Sequence, residues 1–403
     1  SMVDLRKVEF SMTDEPFNEH VLQSRAGVSS QMPVQIVDLG NGLTAEVSAD
    51  KDTPEEMPAT RVAPLSDGKY YIYAVGSDGK RIKGDAKLVS GTVTAGVFKI
   101  DKGTSLNLPA GTYTFVCYNE HVQTDGDKLS FSTDNEKARV GVTTQTLTAT
   151  PHLQKVSFAM KRQIARVRFK VTAYTTQAPN MKATLLSTAD QPVKNSYTDL
   201  IKNPQSEKEA FSIPCTFPAT TTDTNILAYD FFTPYRYYMS GVDGAQLKLH
   251  FSTGLVYGKS LANKDFVLSN LGKLEGNASY TVRIKLMFNP LYLFHDGTIG
   301  TYDERGTRTP IGIMIAERTK VNVTEDEKGR GLAIALKNAT LTDGDGNVTT
   351  NFRMIANGTS FNTEYSPYGS PDASFVYNDM KGYFWTWNKN GSVDNNVKAE
   401  DEE

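Results

Sequence analysis

Short segments in which apolar and polar residues alternate run through the first three quarters of the chain. In residues 164–171, three basic side chains alternate with apolar ones. Residues 245–251 and 280–286 repeat the same period of two. This pattern predicts strands of an antiparallel sheet that bury one face and expose the other.

Turn sequences separate the predicted strands. Two copies of Ser-Asp-Gly-Lys, at 66–69 and 77–80, bracket the apolar and aromatic run 70–75. Asp-Gly tolerates the positive φ of tight hairpin turns, so we expect a strand with a turn at each end. Helical periodicity is hard to find, although the apolar runs 309–318 and 331–339 fit either a helix or a strand. Most of the chain is therefore expected to be β-structure.

The chain has 403 residues, enough for roughly two or three domains with cores of their own. A threonine-rich stretch, 143–151, separates two strand-rich blocks, and the composition shifts toward Gly, Asp, Asn and Thr after Pro290. Residues 51–64, with three prolines and several charges, are expected to form an exposed loop. These changes predict domains at 1–150, 151–290 and 291–403.

Charge and hydropathy exclude several kinds of protein. The chain has 43 Lys and Arg against 46 Asp and Glu, a formal net charge of −3. It therefore lacks the cationic field that non-specific binding to nucleic acid or to anionic membrane surfaces requires. No apolar run reaches the about 18 residues of a membrane-spanning helix. Two cysteines, Cys117 and Cys215, are too few for a disulfide framework, so buried free thiols and a single bridge both remain open.

Motifs of catalysis and metal binding are absent from the sequence. The five histidines are scattered without the spacing of a metal site, and no Gly-x-Ser-x-Gly elbow occurs. Residues 254–260 have one residue too few between their glycines for a phosphate loop. Residues 343–347 fit a polar hairpin turn better than a calcium loop. The sequence therefore predicts a protein without catalytic residues, bound metal or cofactor.

An aromatic cluster near the C-terminus is a candidate ligand platform. Tyr383, Trp385 and Trp387 stand at alternate positions. Aromatic rings combine an apolar face with a polar edge and can therefore lie against the face of a sugar. Core packing accounts for the same pattern, so both interpretations remain open.

Six segments form an ordered set that resembles a known family. They are, in chain order, 8–12 (VEFSM), 34–37 (VQIV), 59–65 (ATRVAPL), 67–75 (DGKYYIYAV), 106–115 (LNLPAGTYTF) and 156–167 (VSFAMKRQIARV). Over residues 8–290 this set is similar to the fimbrillin superfamily of Bacteroidales, the subunits of type V pili. The resemblance implies a mainly β fold with two tandem transthyretin-like Greek-key β-sandwiches, and export as a lipoprotein.

The resemblance also implies processing at an arginine. In the family, an arginine-specific protease cuts the first domain, which releases a leading strand and opens a groove that a neighbouring subunit's strand fills. Here the leading strand would carry Val8, Phe10 and Met12. Arg61 matches the cleavage position best and Arg25 is the rival, with a plain surface arginine as the alternative for either. Loss of the leading strand would expose a sheet edge that another strand can pair with.

The C-terminal part departs from a stalk subunit, which ends in a strand that it can donate. This chain continues through residues 291–403 and closes on an acidic, Asn-rich tail. Residues 293–298, 310–314 and 331–336 resemble the start of the lectin-like adhesive module that some tip subunits carry. A tip subunit needs a groove but no donor strand. We therefore expect a tip or accessory subunit with a smaller, mixed or lectin-like C-terminal module.

The function expected from the sequence is structural and adhesive, with assembly by donor-strand exchange and no enzymatic turnover. The expected partners are other fimbrial subunits, through strand insertion, and a glycan or protein on a host or bacterial surface. The expected location is the cell surface, in the outer membrane or fimbrium, with membrane contact only through an N-terminal lipid anchor. The alternative is a stand-alone surface glycan-binding lipoprotein that uses Tyr383, Trp385 and Trp387.

Overall fold

The computed structural model describes residues 2–4, 7–18, 33–53, 65–84, 87–149, 153–174, 180–217, 229–316, 332–337, 341–342 and 345–349. Strands predominate in these stretches, and short 3-10 turns lie at Gly244–Gln246, Ser269–Leu271 and Asp303–Arg305. The prediction of a mainly β fold is confirmed. Within the same stretches, no helix has the length and hydrophobicity to cross a membrane.

The strands are numbered in chain order. Strands β1–β12 are Met2–Asp4, Val8–Asp14, Gln35–Gly40, Leu43–Lys51, Gly68–Val75, Lys87–Thr94, Val97–Ile100, Ser105–Pro109, Gly111–Asn119, Gln123–Asp125, Lys128–Ser132 and Val140–Leu147. Strands β13–β25 are Gln154–Met160, Ile164–Ala173, Lys182–Ser187, Gln191–Tyr197, Gln205–Glu209, Ser212–Thr216, Tyr229–Phe232, Arg236–Met239, Leu247–Thr253, Leu255–Val256, Lys259–Ser260, Lys264–Val267 and Ser279–Phe288. Strands β26–β31 are Tyr292–Phe294, Ile299–Gly300, Pro310–Ala316, Leu332–Ala335, Leu341–Thr342 and Val348–Thr349.

The chain divides into two compact units, Ser1–Phe288 and Asn289–Glu403. In the first unit, an antiparallel sheet that we call sheet 1 has the order β1-β8-β6-β5-β9-β12, with β7 added to β6. One of its faces packs with β2 and β13 around the first core, which includes Ile72 and Phe115. Its other face, with Tyr73 and Val116, packs with β11 and β16. Cover on both faces explains why the run 70–75 is apolar almost throughout.

A second sheet of the same unit, sheet 2, has the order β19-β14-β25-β4-β3, with β20 also paired to β14. It packs against the antiparallel sheet β18-β15-β21-β24 around the second core. The alternation predicted for 164–171 is confirmed, because Val167, Phe169 and Val171 are buried while the basic residues between them lie half-buried on the opposite face. Strand β25, in the middle of the sheet, runs parallel to β14 and antiparallel to β4.

The hairpin β3–β4, residues 35–51, belongs to sheet 2, although it lies within the block expected at 1–150. Val47 is opposite Ile284 in the β4–β25 ladder, and both side chains are buried in the second core. The expected first block is therefore not a self-contained set of strands. The reason is that alternation reports which face of a strand is buried, whereas it does not report which sheet the strand joins.

Three local expectations are corrected or decided by the structure. Residues 143–147 belong to strand β12 instead of a linker, with a hydroxyl–hydroxyl hydrogen bond of 2.8 Å between Thr146 and Thr112 on β9. The strand expected from residue 245 begins at Leu247, after a 3-10 turn. The ambiguous apolar runs near 310 and 332 form strands β28 and β29, which pair antiparallel.

The second unit contains an antiparallel sheet of order β27-β26-β28-β29 and the hairpin β30–β31. Phe294 is fully buried, and the Arg308 guanidinium lies 4.3 Å above its ring centroid. Strands β30 and β31 pair antiparallel, and residues 343 and 344 of the predicted polar turn 343–347 lie outside the described residues.

Candidate functional site

The leading strand β2 packs its apolar face into the first core. Val8, Phe10 and Met12 are 4%, 6% and 8% exposed, whereas the residues between them are exposed. β2 runs parallel to β13 along its whole length. Among the described strands, β13 alone forms a backbone ladder with it. The strand thus buries three apolar side chains, whereas its backbone pairs with one described strand.

Phe10 is the central contact of this strand. Its ring centroid lies 6.3 Å from that of Phe98, edge to face, and 6.4 Å from that of Phe158, stacked. Phe98 lies over Gly91, where a Cβ would come within 2.7 Å of the Lys99 carbonyl oxygen and would also clash with the Phe98 ring. The missing side chain at Gly91 therefore makes the room for Phe98 beside Phe10.

Acidic residues of the leading segment pair with basic residues around β13. Asp14 Oδ1 accepts a hydrogen bond of 2.8 Å from Arg139 Nε, and both side chains are 12% exposed. Glu15 lies 3.5 Å from Lys161 Nζ, and Glu9 lies 3.8 Å from the more exposed Lys155. Ion pairs at exposed positions contribute little because water and salt screen them. The Asp14–Arg139 pair is therefore the main polar contact of the strand.

Strand β13 has contacts with sheet 1 that do not depend on β2. A Cβ at Gly141 of β12 would lie 3.0 Å from the Ala159 carbonyl oxygen and from Phe158 Cβ, so β13 passes directly over this glycine. Val140 and Lys161 exchange two backbone hydrogen bonds of 2.9 Å. The partner of the leading strand is therefore held in place from its other side.

The residues that follow β2 are bound to the end of sheet 2 at which strands β14 and β25 begin. The Phe17 ring lies under two guanidinium groups, 4.2 Å from that of Arg162 and 4.3 Å from that of Arg166. Asn277 Nδ2 donates a hydrogen bond of 3.0 Å to the Pro16 carbonyl oxygen. Burial, together with the nearby Arg139, lowers the pKa of Arg162 to about 10, so the group stays charged at neutral pH.

A buried carboxylate, Asp52, supports this attachment. It accepts hydrogen bonds of 2.6 Å from Ser279 Oγ and from the Tyr235 hydroxyl, and another from the Thr281 hydroxyl. Burial and the hydrogen bond to Asp52 raise the pKa of Tyr235, which keeps its hydroxyl a donor. Asn18, which is fully buried, donates to the Asp52 carbonyl oxygen at 3.1 Å. The leading segment therefore ends at a satisfied polar cluster.

The two cysteines are free and buried, Cys117 in the first core and Cys215 in the second. Burial raises the pKa of both thiols, which disfavours the reactive thiolate. The interpretation as two buried free thiols is confirmed.

The structure brings together the three residues that the sequence singled out for the leading strand, Val8, Phe10 and Met12. The cleavage candidates Arg25 and Arg61 lie outside the described residues, as do the aromatic residues Tyr383, Trp385 and Trp387.

Sequence reasoning missed Phe17, Asn18 and Arg139, which hold the end of the leading segment. A partial signal existed, because Arg162 and Arg166 belong to the segment 156–167 that carries the family resemblance. Within the described stretches, no group of three or more His, Cys, Asp or Glu residues is placed to hold a metal ion.

Comparisons with known proteins give weak similarities only. No protein-family model matches the chain, and no curated protein matches it. A provisionally assigned cell adhesion protein from Bacteroides uniformis has a TM-score of 0.36 and 11% identity, over 56% of this chain and 92% of that one. Another from Bacteroides ovatus has a TM-score of 0.34 and 11% identity, over 73% of this chain and 97% of that one. A fimbrial assembly protein from Parabacteroides distasonis has a TM-score of 0.29 and 11% identity, over 64% of this chain and 99% of that one.

Proposed function

We propose that this chain is a structural and adhesive subunit of a cell-surface fimbrium, assembled by replacing its leading strand with a strand of a neighbouring subunit. The observation that carries the proposal is the position of β2, which buries three apolar side chains but, among the described strands, forms a backbone ladder with β13 alone. The resemblance of residues 8–290 to fimbrillins supports the same function. The function that we propose involves no enzymatic activity.

Departure of β2 would leave a groove suited to another strand. Its floor would be the apolar surface around Phe98 and Phe158, and its side would be the unpaired backbone of β13. An exposed sheet edge beside an apolar pocket binds extended peptides by strand addition. Since β13 remains attached to sheet 1 through Val140 and Lys161, the groove would keep one of its walls.

The strand topology favours Arg25 over Arg61 as the cut that opens this groove. A cut after Arg25 falls between β2 and β3, so of the described strands it separates only β1 and β2, together with Phe17 and Asn18, from the rest of the chain. A cut after Arg61 falls beyond β4, and release of that fragment would also remove the hairpin β3–β4 from sheet 2. That hairpin buries Leu43, Val47 and Ala49 in the second core, so its loss would be far more costly.

The remaining parts of the proposal come from the resemblance. They are export as a lipoprotein, a location in the outer membrane or fimbrium, and a place at the tip with residues 289–403 as the adhesive part. The proposed partners are strands of other fimbrial subunits and a surface glycan or protein.

Limited proteolysis of the full chain tests the proposal. An arginine-specific protease is applied to the wild type, to Arg25→Gln and to Arg61→Gln, and the cuts are identified by mass spectrometry. Each product is then incubated with a dye-labelled peptide that has the sequence of residues 7–16, and peptide uptake is measured by fluorescence anisotropy.

We expect the wild type and Arg61→Gln to take up the peptide after proteolysis, and Arg25→Gln to take up none. Uptake that is lost in Arg61→Gln instead would reassign the cleavage site to Arg61. If the chain is cut at either arginine and no product binds the peptide, strand replacement is wrong.

A further inference from the structure

Resting on the proposed function, we infer that the groove selects its incoming strand by charge: the strand must carry two consecutive acidic residues after its third apolar position, and must run parallel to β13.

The apolar contacts of the groove do not determine the direction of an incoming strand. The three buried side chains of β2 stand at alternate positions, 8, 10 and 12. The spacing of these three residues is symmetric about the middle one. A strand inserted antiparallel to β13 could therefore also direct three side chains into the core. A second feature has to distinguish the two orientations.

Basic residues supply that feature at one end of the groove. Arg139, Lys161 and Arg162 lie around the end of β2, where Asp14 and Glu15 now meet the first two of them. Arg162 also experiences the charges of Arg139 and Asp14, so these three groups form one electrostatic cluster beside the Glu15–Lys161 pair. At the other end, Lys155 is 69% exposed, and its pair with Glu9 is long at 3.8 Å.

Arg139 is the residue on which selection depends most. Its other acceptors are the backbone carbonyl oxygens of Glu136 and Ala138, which carry no net charge. An empty groove would leave this mostly buried guanidinium without the carboxylate of Asp14. A cation in such a place is stabilised strongly by a returning carboxylate and hardly at all by an amide of the same shape.

The ligand is therefore an extended peptide segment of defined chemistry. It has apolar residues at three alternate positions, one intervening residue, and then two acidic residues. In parallel orientation the first acid reaches Arg139 and the second reaches Lys161. In antiparallel orientation both acids would lie beyond the opposite end of the β2–β13 ladder, away from Arg139 and Lys161.

Peptide competition on the protease-opened full chain tests this inference. Four peptides derived from residues 7–16 are compared: the native sequence, Asp14→Asn with Glu15→Gln, Glu9→Gln as a matched amide control at the exposed end, and a peptide with Val8, Phe10 and Met12 replaced by Ser. Loss of the carboxylates at 14 and 15 is expected to weaken binding by roughly 30-fold or more, because it leaves a buried cation unpaired. The Glu9→Gln peptide is expected to bind within about threefold of the native peptide.

A charge reversal supplies a control that does not require Arg139 to be changed. Lys161 is 50% exposed, so Lys161→Glu is compatible with folding. The variant should bind the native peptide more weakly and should recover affinity with a Glu15→Lys peptide. Recovery supports the parallel register, since the two residues meet only in that orientation.

The outcomes separate this inference from the proposed function. If the amide peptide binds as tightly as the native one while the Ser peptide fails, the groove exists and selection by charge is wrong. If Glu15→Lys binds equally to the wild type and to Lys161→Glu, the parallel register is wrong. If no peptide binds, the proposed function and this inference are overturned together.

Discussion

Asn18 and Ser279 hold each other by two hydrogen bonds across 261 residues of chain. Asn18 Nδ2 donates to the Ser279 carbonyl oxygen at 2.8 Å, and Ser279 N donates to Asn18 Oδ1 at 2.9 Å. Asn18 adopts a φ of 58°, a left-handed conformation that asparagine tolerates better than most residues. The leading segment is thus fixed at both ends, by β2 in the first core and by Asn18 on sheet 2.

Replacing Asn18 by alanine is expected to lower the free energy of unfolding by about 2–4 kcal/mol, because it leaves the buried Ser279 N–H without its acceptor and removes the donor to two buried carbonyl oxygens. Urea unfolding followed by circular dichroism measures the change. Asn41→Ala is the matched control, since Asn41 has a φ of 53° but is exposed, and it should cost about 1 kcal/mol or less. Equal losses in the two variants would contradict a role for the buried hydrogen bonds.

Replacing Phe10 by alanine is expected to cost about 3–5 kcal/mol, since a buried ring between two aromatic neighbours leaves a cavity. Thr13→Ala, on the exposed face of the same strand, should change stability by about 0.5 kcal/mol or less. Thermal unfolding of the two variants beside the wild type makes the comparison. A Phe10→Ala protein as stable as the wild type would mean that β2 does not contribute to the first core.

Thiol alkylation should report the opening of the first core. Both thiols are buried and have raised pKa values, so neither should react in the intact chain. After protease treatment and displacement of the leading segment, Cys117 is expected to react faster, because it shares the first core with β2. Cys215, in the second core, is the internal control, and mass spectrometry distinguishes the two sites. Faster reaction at Cys215 alone would contradict an opening confined to the first core.

We expect the folded protein to lose stability in acid as the Asp101 carboxylate becomes protonated. Burial raises the pKa of Asp101, but hydrogen bonds from Thr92, Lys69 and Ser90 outweigh it and hold the pKa below its usual value. A group with a lowered pKa stabilises the fold above its unfolded-state pKa of about 3.9, and this contribution is lost as the pH falls through the folded-state value.

The wild type should therefore melt at a higher temperature than Asp101→Asn at neutral pH. This difference in melting temperature should decrease toward zero below about pH 4. Differential scanning calorimetry across that range measures it. A gap that stays constant down to the most acid pH would show that the charge of Asp101 does not stabilise the fold.

Local patterns along the chain were sufficient for much of the secondary structure. The alternation at 164–171 and the Asp-Gly turns around 70–75 predicted β14 and β5 because both signals depend on neighbouring residues only. The run 280–286 also forms a strand, as predicted. Thr281, on the side expected to be exposed, is nevertheless buried, because its hydroxyl donates a hydrogen bond to the buried Asp52 carboxylate. A buried polar partner of this kind cannot be recognised from periodicity.

Long-range pairing could not be predicted in the same way. The family resemblance assigned Val8, Phe10 and Met12 to a leading strand, but nothing in the sequence indicates a parallel ladder with β13. It also gave no sign that residues 35–51 join sheet 2 instead of sheet 1. In the sequence, Asp14 and Arg139 each resemble ordinary surface charges. Only the folded chain brings them together as a mostly buried ion pair.

The parallel pairing of β2 and β13 has a consequence for how the chain folds as it is made. Ser11 and Ser157, whose hydroxyls are 2.7 Å apart, are separated by 146 residues. At roughly 5–20 residues per second, synthesis of that interval takes about 7–30 s. The strand that leaves the ribosome early must therefore wait for its partner, while the strands of sheet 1 can already pair with one another. Until β13 has been made, the face of sheet 1 that β2 and β13 cover together stays incomplete, and its apolar surface is accessible to chaperones that shield such surface.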